Sequence, residues 1–423
     1  NFSHMNKYSA KSIRVITKPF LMPFILVGLL FPLWGFANDI TNPMVAAFKN
    51  ILLISNFESA LVQFAFYGGY CLMAIPAAIF IKKFNYKKSI LMGLALYTIG
   101  CLLFIPSGKM MVFEAFLFSY FVMTCGLSFL ETSANPYILS MGDENTATQR
   151  LNLAQAFNPL GSLMGMFVAK EFILAKLNPT TELGRRELAR NDPSLFTQIQ
   201  QNDLNVIIGP YLVLGIIVAM VFVIFAIAKM PSSENEHENK LDIRLTLNRL
   251  FSNRRYLKGV IAQAFYVGAQ IMCWTFIIQY GTNELGMTKE DAQSYNIIAM
   301  VIFVSSRFIC TYLLKYINPG RLLTILAIGG GGFILCTIFS SGMVGLYSLI
   351  AVSGCMSLMF PTIYGIALKG LGDDAKIGSA GLILAIGGGS LLPPLQGAII
   401  DMPSFTIGDF MLSSTRASFC LPF

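Results

Sequence analysis

Long apolar stretches recur along this chain of 423 residues, and they limit its possible folds more than any other feature. Most of them reach the ~20 residues that an α-helix needs to cross a bilayer. The stretches lie at 20–47, 57–82, 87–106, 110–140, 149–175, 207–229, 256–284, 291–317, 319–340, 343–369 and 377–401, with a weaker one at 405–423. We therefore predict a multi-pass membrane protein with about a dozen transmembrane helices.

The composition excludes a set of water-soluble domains. Hydrophobic residues make up 55% of the chain and charged residues only 12%, whereas soluble domains carry roughly 25% charged residues. The net charge of +8 does not indicate a nucleic-acid partner, because the Lys and Arg residues cluster at the ends of apolar stretches. Under the positive-inside rule, the basic turns face the cytoplasm and so does the amino terminus. We expect a lipid bilayer around the chain and no nucleic acid.

Two halves of the sequence resemble each other. Gly142-Asp143 follows the fourth stretch and Gly372-Asp373 follows the tenth, while basic turns begin at Lys82 and Lys315 after the second and eighth. Matching turns at nearly constant spacing indicate a duplicated six-helix unit, the arrangement of major facilitator transporters, with a central cavity between two six-helix bundles. We divide the chain into a cytoplasmic tail (1–19), a first bundle (20–229), a cytoplasmic linker with an amphipathic portion (230–255) and a second bundle (256–423), whose twelfth helix is weak or truncated.

Two carboxyl residues stand within apolar stretches, where an ionisable side chain is costly and indicates function. Glu131 lies deep in the fourth stretch, and a carboxyl removed from water there favours its neutral form, so it can exchange a proton near neutral pH. Asp39 lies in the first stretch, three residues before Asn42, on one helical face. The alternatives are that Asp39 sits at a helix end in water, and that Glu131 is a structural carboxyl paired with an arginine, such as Arg307 of the eighth stretch, or with an amide.

Amide and aromatic residues form a second group of candidate site residues. Gln155 and Asn158 are three residues apart in the fifth stretch, and amides match sugar hydroxyls because both donate and accept hydrogen bonds. Tyr266 and Gln270 belong to a polar and aromatic stripe on the seventh stretch, suited to stacking on the apolar face of a sugar. Contacts between helices and plain packing are the alternative roles. Arg307 is a further candidate for holding sugar hydroxyls.

Several classes of enzyme and cofactor site have no counterpart in the sequence. The glycine runs at 329–332 and 387–389 lie inside apolar stretches, and no phosphate-binding GxxxxGK[ST] motif occurs. Neither a nucleophile–base pair nor a metal-ligand cluster is present. We therefore expect no enzymatic activity, no cofactor and no bound metal.

Several strings in the sequence resemble the L-fucose permease family of the major facilitator superfamily. They are Leu33-Trp34-Gly35-Phe36-Ala37-Asn38, Leu130-Glu131-Thr132-Ser133-Ala134-Asn135-Pro136, Arg150-Leu151-Asn152-Leu153-Ala154-Gln155, Tyr266-Val267-Gly268-Ala269-Gln270 and Pro361-Thr362-Ile363. The resemblance implies that Glu131 carries the proton and that Gln155 and Asn158 line a polar cavity. The helix-1 aspartate of the family aligns with Asn42 here, and the nearest acid, Asp39, stands one turn earlier.

The function predicted from these features is proton-coupled sugar symport by alternating access, with L-fucose as the first substrate to test. Glu131 and Asp39 are assigned to proton coupling, and Asn42, Asn135, Gln155, Asn158, Tyr266, Gln270 and Arg307 to sugar binding. Alternatives are a carrier of glucose or galactose, a sodium-coupled carrier and a membrane sugar sensor without transport. The family resemblance implies a bacterial inner membrane, and we expect a monomer.

Overall fold

A computed structural model describes the chain from residue 15 onward, with short gaps. The described residues are 15–41, 44–54, 56–180, 182–231, 243–287, 289–387, 392, 395–396, 399–400, 402–407 and 410–423. Asn42, most of the predicted amino-terminal tail and the linker residues 232–242 fall outside them. In the described part the fold is almost entirely helical.

The first half of the chain consists of long helices joined by short turns. Their bounds are α1 Leu21–Gly28, α2 Leu30–Thr41, α3 Met44–Leu52, α4 Asn56–Lys83, α5 Tyr86–Met110, α6 Phe113–Ser140, α7 Ala147–Gln155, α8 Asn158–Val168, α9 Glu182–Asn191 and α10 Pro193–Ile227. The sequence placed the start of the sixth apolar stretch at 207, but α10 begins at Pro193. This difference arises because Asp192 caps the helix by accepting from the Leu195 amide, so polar residues join its first turns.

A short amphipathic helix and the second group of long helices complete the chain. Their bounds are α11 Ile243–Ser252, α12 Arg254–Leu285, α13 Lys289–Leu313, α14 Pro319–Phe339, α15 Met343–Met356, α16 Met359–Leu368 and α17 Ala375–Leu384. Asparagine side chains cap the helices that leave the basic turns: Asn85 accepts from the Lys88 amide, Asn253 from the Arg255 and Tyr256 amides, and Asn318 from the Gly320 amide. These caps satisfy amide groups that the helix itself leaves unpaired.

The weak twelfth stretch does not form a spanning helix. Strands β1 Phe405–Ile407 and β2 Phe410–Leu412 make an antiparallel hairpin, and only a short helix follows, α18 Ser414–Ser418. Polar contacts account for this difference, since Arg416 pairs with Glu284 at the end of α12 and Thr415 accepts a hydrogen bond from Asn283. The twelfth helix, predicted to be weak or truncated, is reduced to α18 among the described residues.

Eight helical stretches among the described residues are long and apolar enough to span a membrane. They are Lys18–Thr41, Ala65–Lys83, Tyr86–Met110, Phe113–Ser140, Pro193–Ile227, Ser294–Leu313, Pro319–Phe339 and Met343–Leu368. Other predicted spans are interrupted or more polar. The fifth, for example, is divided between α7 and α8, where Pro159 takes a first-turn position of the new helix and cannot continue the old one.

All of the basic turns lie at one end of the bundle, which we call the basic end. It contains the turns at 84–85, 141–146, 228–231, 314–318 and 369–374 and the amphipathic helix α11. The two Gly-Asp turns have the same local form, because Glu144–Thr146 and Gly372–Asp374 are both single 3₁₀ turns that lead into a helix. The other end of the bundle, the opposite end, holds α9 and the hairpin.

Two large apolar clusters form the core. The larger spans the first half and also includes Tyr256, Tyr364, Leu368, Ile377 and Ile383 from the basic part of the second half. The other is built almost entirely from second-half residues, and Phe360 packs against both clusters. The two halves therefore share one apolar core near the basic end.

Candidate functional site

Glu131 lies on α6 at the junction of the two halves. It interacts electrostatically with Tyr70 on α4 and with Tyr364 on α16 of the second half. The next residue, Thr132, accepts a 3.1 Å hydrogen bond through its carbonyl oxygen from the Ser379 hydroxyl of α17. Within the described part of the chain, Glu131 forms no ion pair, so the predicted alternative of a pair with Arg307 is not observed. A carboxyl in this position carries no permanent counter-charge.

An amide pair stands one helical turn from Glu131. Gln155 donates a 3.0 Å hydrogen bond from Nε2 to the Asn135 Oδ1, and both side chains are buried. The Asn135 Nδ2 has no hydrogen-bond partner among the described residues, although it is fully buried. An unused donor costs free energy unless a ligand or water satisfies it. The geometry thus leaves a donor beside Glu131 for a hydroxyl group.

The helix is irregular between Gln155 and Asn158, which were predicted to share one face. α7 ends at Gln155 and α8 begins at Asn158, and the two residues between them keep right-handed helical backbone angles. The Asn158 Nδ2 donates a 3.2 Å hydrogen bond to the Phe31 carbonyl oxygen on α2, so this amide joins α8 to α2. Asn158 therefore holds α8 against α2, the helix that carries Asp39.

Asp39 is buried on α2, with only 7% of its surface exposed. It lies two residues before Thr41, where α2 and the first described spanning stretch end. It interacts electrostatically with Tyr67, and Tyr67 does so with Tyr70. Since Tyr70 also interacts with Glu131, the two tyrosines of α4 connect the two carboxyl groups in one series of electrostatic interactions. Asn42 cannot be placed, because it is outside the described residues.

Sequence reasoning missed Tyr67 and Tyr70. The available signal was their spacing of three residues in an apolar stretch, which puts both hydroxyls on one helical face. Aromatic residues are frequent throughout this chain, so the spacing alone did not distinguish them from packing residues. Their position became informative only once Tyr67 was found to interact with Asp39, and Tyr70 with Glu131.

A second group of site residues lies in the second half. Arg307 on α13 is 4% exposed and stands over the Phe303 ring, 4.9 Å from its centroid. It interacts electrostatically with Tyr266 on α12, and its Nε has no hydrogen-bond partner among the described residues. A buried guanidinium with a free donor can bind a hydroxyl or a carbonyl oxygen.

The predicted stripe on α12 divides between packing and polar positions. The Tyr266 hydroxyl donates to the Met356 carbonyl oxygen at 2.9 Å, and the Trp274 Nε1 donates to the Ser353 hydroxyl at 3.1 Å. Both side chains thus fasten α12 to α15. Gln270 is half-buried on the same helix, and no hydrogen bond joins its side chain to another described residue. The buried Gln263 amide also has no partner among the described residues.

No group of three or more His, Cys, Asp or Glu side chains with metal-binding geometry occurs in the described part of the chain. The described site residues are the buried Asp39, the half-buried Glu131 at the junction of the two halves, several amides and the Arg307 guanidinium. Such a set can exchange protons and form hydrogen bonds with a neutral polyhydroxyl ligand.

Comparisons with known proteins agree with this arrangement. A sequence profile of the Major Facilitator Superfamily matches residues 27–394. The chain is 52% identical over 416 residues to the L-fucose-proton symporter of Haemophilus influenzae, covering 97% of this chain and 95% of the relative. It is 34% identical over 394 residues to the L-fucose-proton symporter of Escherichia coli, covering 91% and 88%.

A solved structure shares the fold over nearly the whole chain. It is a Major Facilitator Superfamily transporter, FucP, in the outward conformation, with a TM-score of 0.85, 32% sequence identity and coverage of 95% of both chains. The predicted fold, two helical halves of a major facilitator transporter, is thereby confirmed. The chain belongs to the Major Facilitator Superfamily and, within it, to the family that contains the L-fucose-proton symporters.

Proposed function

We propose that this protein is a proton-coupled sugar symporter whose substrate is L-fucose. The observation that carries the proposal is Glu131, a carboxyl deep in a spanning helix, at the junction of the two halves and without an ion pair among the described residues. A proton carrier must be able to exist in both charge states during the cycle. The relatives named L-fucose-proton symporters support the choice of substrate and coupling ion.

In this proposal Glu131 accepts a proton when the central cavity is open to the outside. The neutral carboxyl then tolerates closure of the cavity, whereas the charged form requires water or a polar partner. Sugar bound beside it, at the unused Asn135 donor, favours the same closed state. Proton and sugar therefore stabilise each other's binding, and the halves rock around both.

Asp39 is the second proton-coupling residue of the proposal. Its burial, and the two tyrosines between it and Glu131, support a role in the same electrostatic system. Asn42 occupies the aligned position of the family's helix-1 aspartate and is assigned to sugar binding. Asp39→Asn should lower both sugar affinity and proton-driven uptake. Unchanged binding and uptake in this variant would remove Asp39 from the mechanism.

The sugar-binding residues are proposed from both halves. Asn135, Gln155 and Asn158 belong to the first half, and Tyr266, Gln270 and Arg307 to the second. In this arrangement the sugar bridges the two halves, as alternating access requires. Asn135 and Arg307 are supported most directly, because each has a buried donor without a hydrogen-bond partner among the described residues. Asn158 and Tyr266 instead donate to backbone carbonyl oxygens and position the helices.

The membrane setting is part of the same proposal. With Lys and Arg concentrated at the basic end, that end faces the cytoplasm, and the protein lies in the bacterial inner membrane as a monomer. The chain then divides into the tail 1–19, the first bundle 20–229, the linker 230–255 and the second bundle 256–423. The protein acts as a transporter and not as an enzyme, and it requires no cofactor or metal.

The test is uptake of labelled L-fucose into proteoliposomes with an imposed inward proton gradient. Wild type should accumulate the sugar, Glu131→Gln should lose accumulation but retain exchange, and Glu114→Gln should behave as wild type. Glu114 is a matched control because it is an exposed glutamate on the same helix. Uptake of glucose or galactose instead of L-fucose would contradict the substrate, and accumulation driven only by sodium would contradict the coupling ion.

A further inference from the structure

An apolar groove opens on the outer surface of the first half at the basic end, between α1 and α10. Its volume is about 490 Å³, within the range of roughly 300–1,000 Å³ that is usual for small-molecule sites. The groove is lined by Met22, Leu26, Ile224, Ile227, Ala228 and Lys229. Leu26 is buried, whereas Met22, Ile224 and Ile227 are exposed on stretches long enough to span a membrane. Exposed apolar side chains on such helices face lipid, so the groove opens to the bilayer.

Hydrogen bonds hold both walls of the groove in place. The Nη1 of the buried Arg150 donates to the Val15 carbonyl oxygen, just ahead of α1, at 3.1 Å. The Lys87 Nζ donates to the Ala226 and Ala228 carbonyl oxygens, at the end of α10, at 3.0 Å and 2.8 Å. These contacts lie within the first half and the segment that precedes it. The groove is therefore preformed, and its walls do not depend on how the two halves are oriented.

Two lysines at the basic end of the groove have no polar partner among the described residues. Lys229 lines the groove beyond the end of α10. Lys18 precedes Met22 by one helical turn, so both lie on the same face of the first helical stretch. Both lysines are exposed, and no hydrogen bond or ion pair joins either ammonium group to another described side chain or carbonyl oxygen. The groove thus combines apolar walls with two positive charges that the described part of the chain leaves unneutralised.

We propose that this groove binds an anionic phospholipid of the surrounding bilayer. One acyl chain lies along Met22, Ile224 and Ile227. The phosphate oxygens accept hydrogen bonds from the ammonium groups of Lys18 and Lys229, which stand at the ends of spanning helices and therefore at the depth of the headgroups.

Charge complementarity selects the anionic lipid. Basic residues between spanning helices attract anionic headgroups, whereas a zwitterionic headgroup brings a positive charge of its own to the two lysines. The proposal does not rest on the transport function, because it concerns the lipid-facing surface of the first half.

The first test measures lipid binding to the full chain by native mass spectrometry. Wild type should bind one phosphatidylglycerol more tightly than phosphatidylcholine. Lys18→Gln and Lys229→Gln should each weaken phosphatidylglycerol binding by about fivefold, the effect of removing one positive charge beside a headgroup, and leave phosphatidylcholine binding unchanged. Lys369→Gln is the matched control, because Lys369 is an exposed lysine at the same end of the bundle but on the second half.

The second test locates the acyl chain in a bilayer. Met22 in the groove and Met110 at the opposite end are matched positions, 64% and 62% exposed. Each is changed to tryptophan, whose fluorescence is quenched by bromine atoms on a neighbouring acyl chain, and the signal of the unchanged protein is subtracted. In phosphatidylcholine vesicles with a small fraction of brominated phosphatidylglycerol, Met22→Trp should be quenched more than Met110→Trp. Adding Lys18→Gln and Lys229→Gln should remove the difference.

Equal binding of the two lipids by wild type, or the same weakening in Lys369→Gln as in the two groove variants, would overturn the proposed site. Equal quenching at Met22→Trp and Met110→Trp would do so as well, because it would show that the lipid does not occupy the groove. Neither test uses sugar or an ion gradient. Absence of L-fucose transport would therefore leave the lipid site standing, and absence of lipid binding would leave the transport proposal standing.

Discussion

The two ends of the bundle are held together in different ways. At the basic end, hydrogen bonds pass from one half to the other: Asn152 to Thr362, Gln149 to Thr311, and Ser379 to Thr132. At the opposite end, the ion pairs among the described residues stay within one half. Arg185 pairs with Asp203 in the first half, and Glu284 pairs with Arg416 in the second.

This difference separates two kinds of stabilising contact. In an alternating-access carrier, contacts within a half persist through the cycle, whereas contacts between halves form and break in each turnover. The first kind should set the free energy of unfolding, and the second the balance between the two orientations.

The largest expected effect comes from breaking the buried pair at the opposite end. Arg185 and Asp203 are 2% and 3% exposed, and Arg185 also donates to the Asn178 and Thr180 carbonyl oxygens. Arg185→Gln should lower the free energy of unfolding by about 3–5 kcal/mol, because it leaves a buried carboxylate without its partner. Thermal unfolding in detergent measures the loss. The exposed pair Lys170–Glu171 supplies the control, and an equal loss in Lys170→Gln would contradict the prediction.

Two glycines test the same division through packing. A Cβ at Gly161 would overlap the Pro32 backbone within the first half, and a Cβ at Gly365 would approach the Thr148 hydroxyl oxygen across the halves at 2.8 Å. Each alanine should cost about 1–3 kcal/mol from overpacking. Gly161→Ala should lower thermal stability. Gly365→Ala should chiefly increase the fraction of molecules with an open basic end, measured as the distance between spin labels at Lys88→Cys and Lys369→Cys, exposed positions on the two halves. Identical behaviour of the two variants would remove the distinction between the contacts.

A smaller effect is expected from one hydrogen bond between the halves. Thr362→Val removes the acceptor of the 3.1 Å bond from the Asn152 Nδ2. The substitution should shift the equilibrium between the closed and the open basic end by about 0.5–1.5 kcal/mol toward the open one, because the interface between the halves loses one buried hydrogen bond. The apparent KM for external sugar measures it. Thr324→Val should change nothing, since the Thr324 hydroxyl bonds only within α14 and is exposed. A shifted KM in that control would contradict the assignment of the effect to the bond between the halves.

The smallest effect concerns pH. Hydrogen bonds from the Arg249 guanidinium hold the pKa of the Asp374 carboxyl below its ordinary value, with help from Thr246 and from the charge of Lys82. A depressed pKa means that the pair is complete above the ordinary aspartate range and weakens as pH falls through the lowered value. The distance between spin labels at Lys88→Cys and Lys369→Cys, on the two halves at the basic end, should therefore be constant from about pH 5 to 8. A transition in that range in wild type that disappears in Asp374→Asn would contradict this.

Much of the fold was predictable from the sequence, because the bilayer requires long apolar helices and the repeated turns indicate duplication. The burial of Asp39 and the partial burial of Glu131 followed from their positions within apolar stretches. The boundary between α7 and α8 did not, since Pro159 is also tolerated in the first turn of a continuing segment. The hairpin near the end of the chain was not predicted, because the polar contacts between this region and α12 depend on tertiary structure.

The relationship between the site and its surroundings could not be predicted. Tyr67 and Tyr70 interact with Asp39 and Glu131 through the tertiary packing of α4, which lies beside α6 and α3. The Arg249–Asp374 pair joins residues that are 125 positions apart, and no local pattern marks either of them. Local sequence identifies costly residues in lipid, but only packing shows which partners they have.

The most direct test of proton-coupled sugar transport follows the proton itself. Proteoliposomes containing a pH-sensitive dye are given external L-fucose with no imposed ion gradient. The account predicts acidification of the interior in wild type and in Glu114→Gln, and none in Glu131→Gln, which still exchanges labelled sugar. Sugar entry without acidification in wild type, or undiminished acidification in Glu131→Gln, would contradict the account.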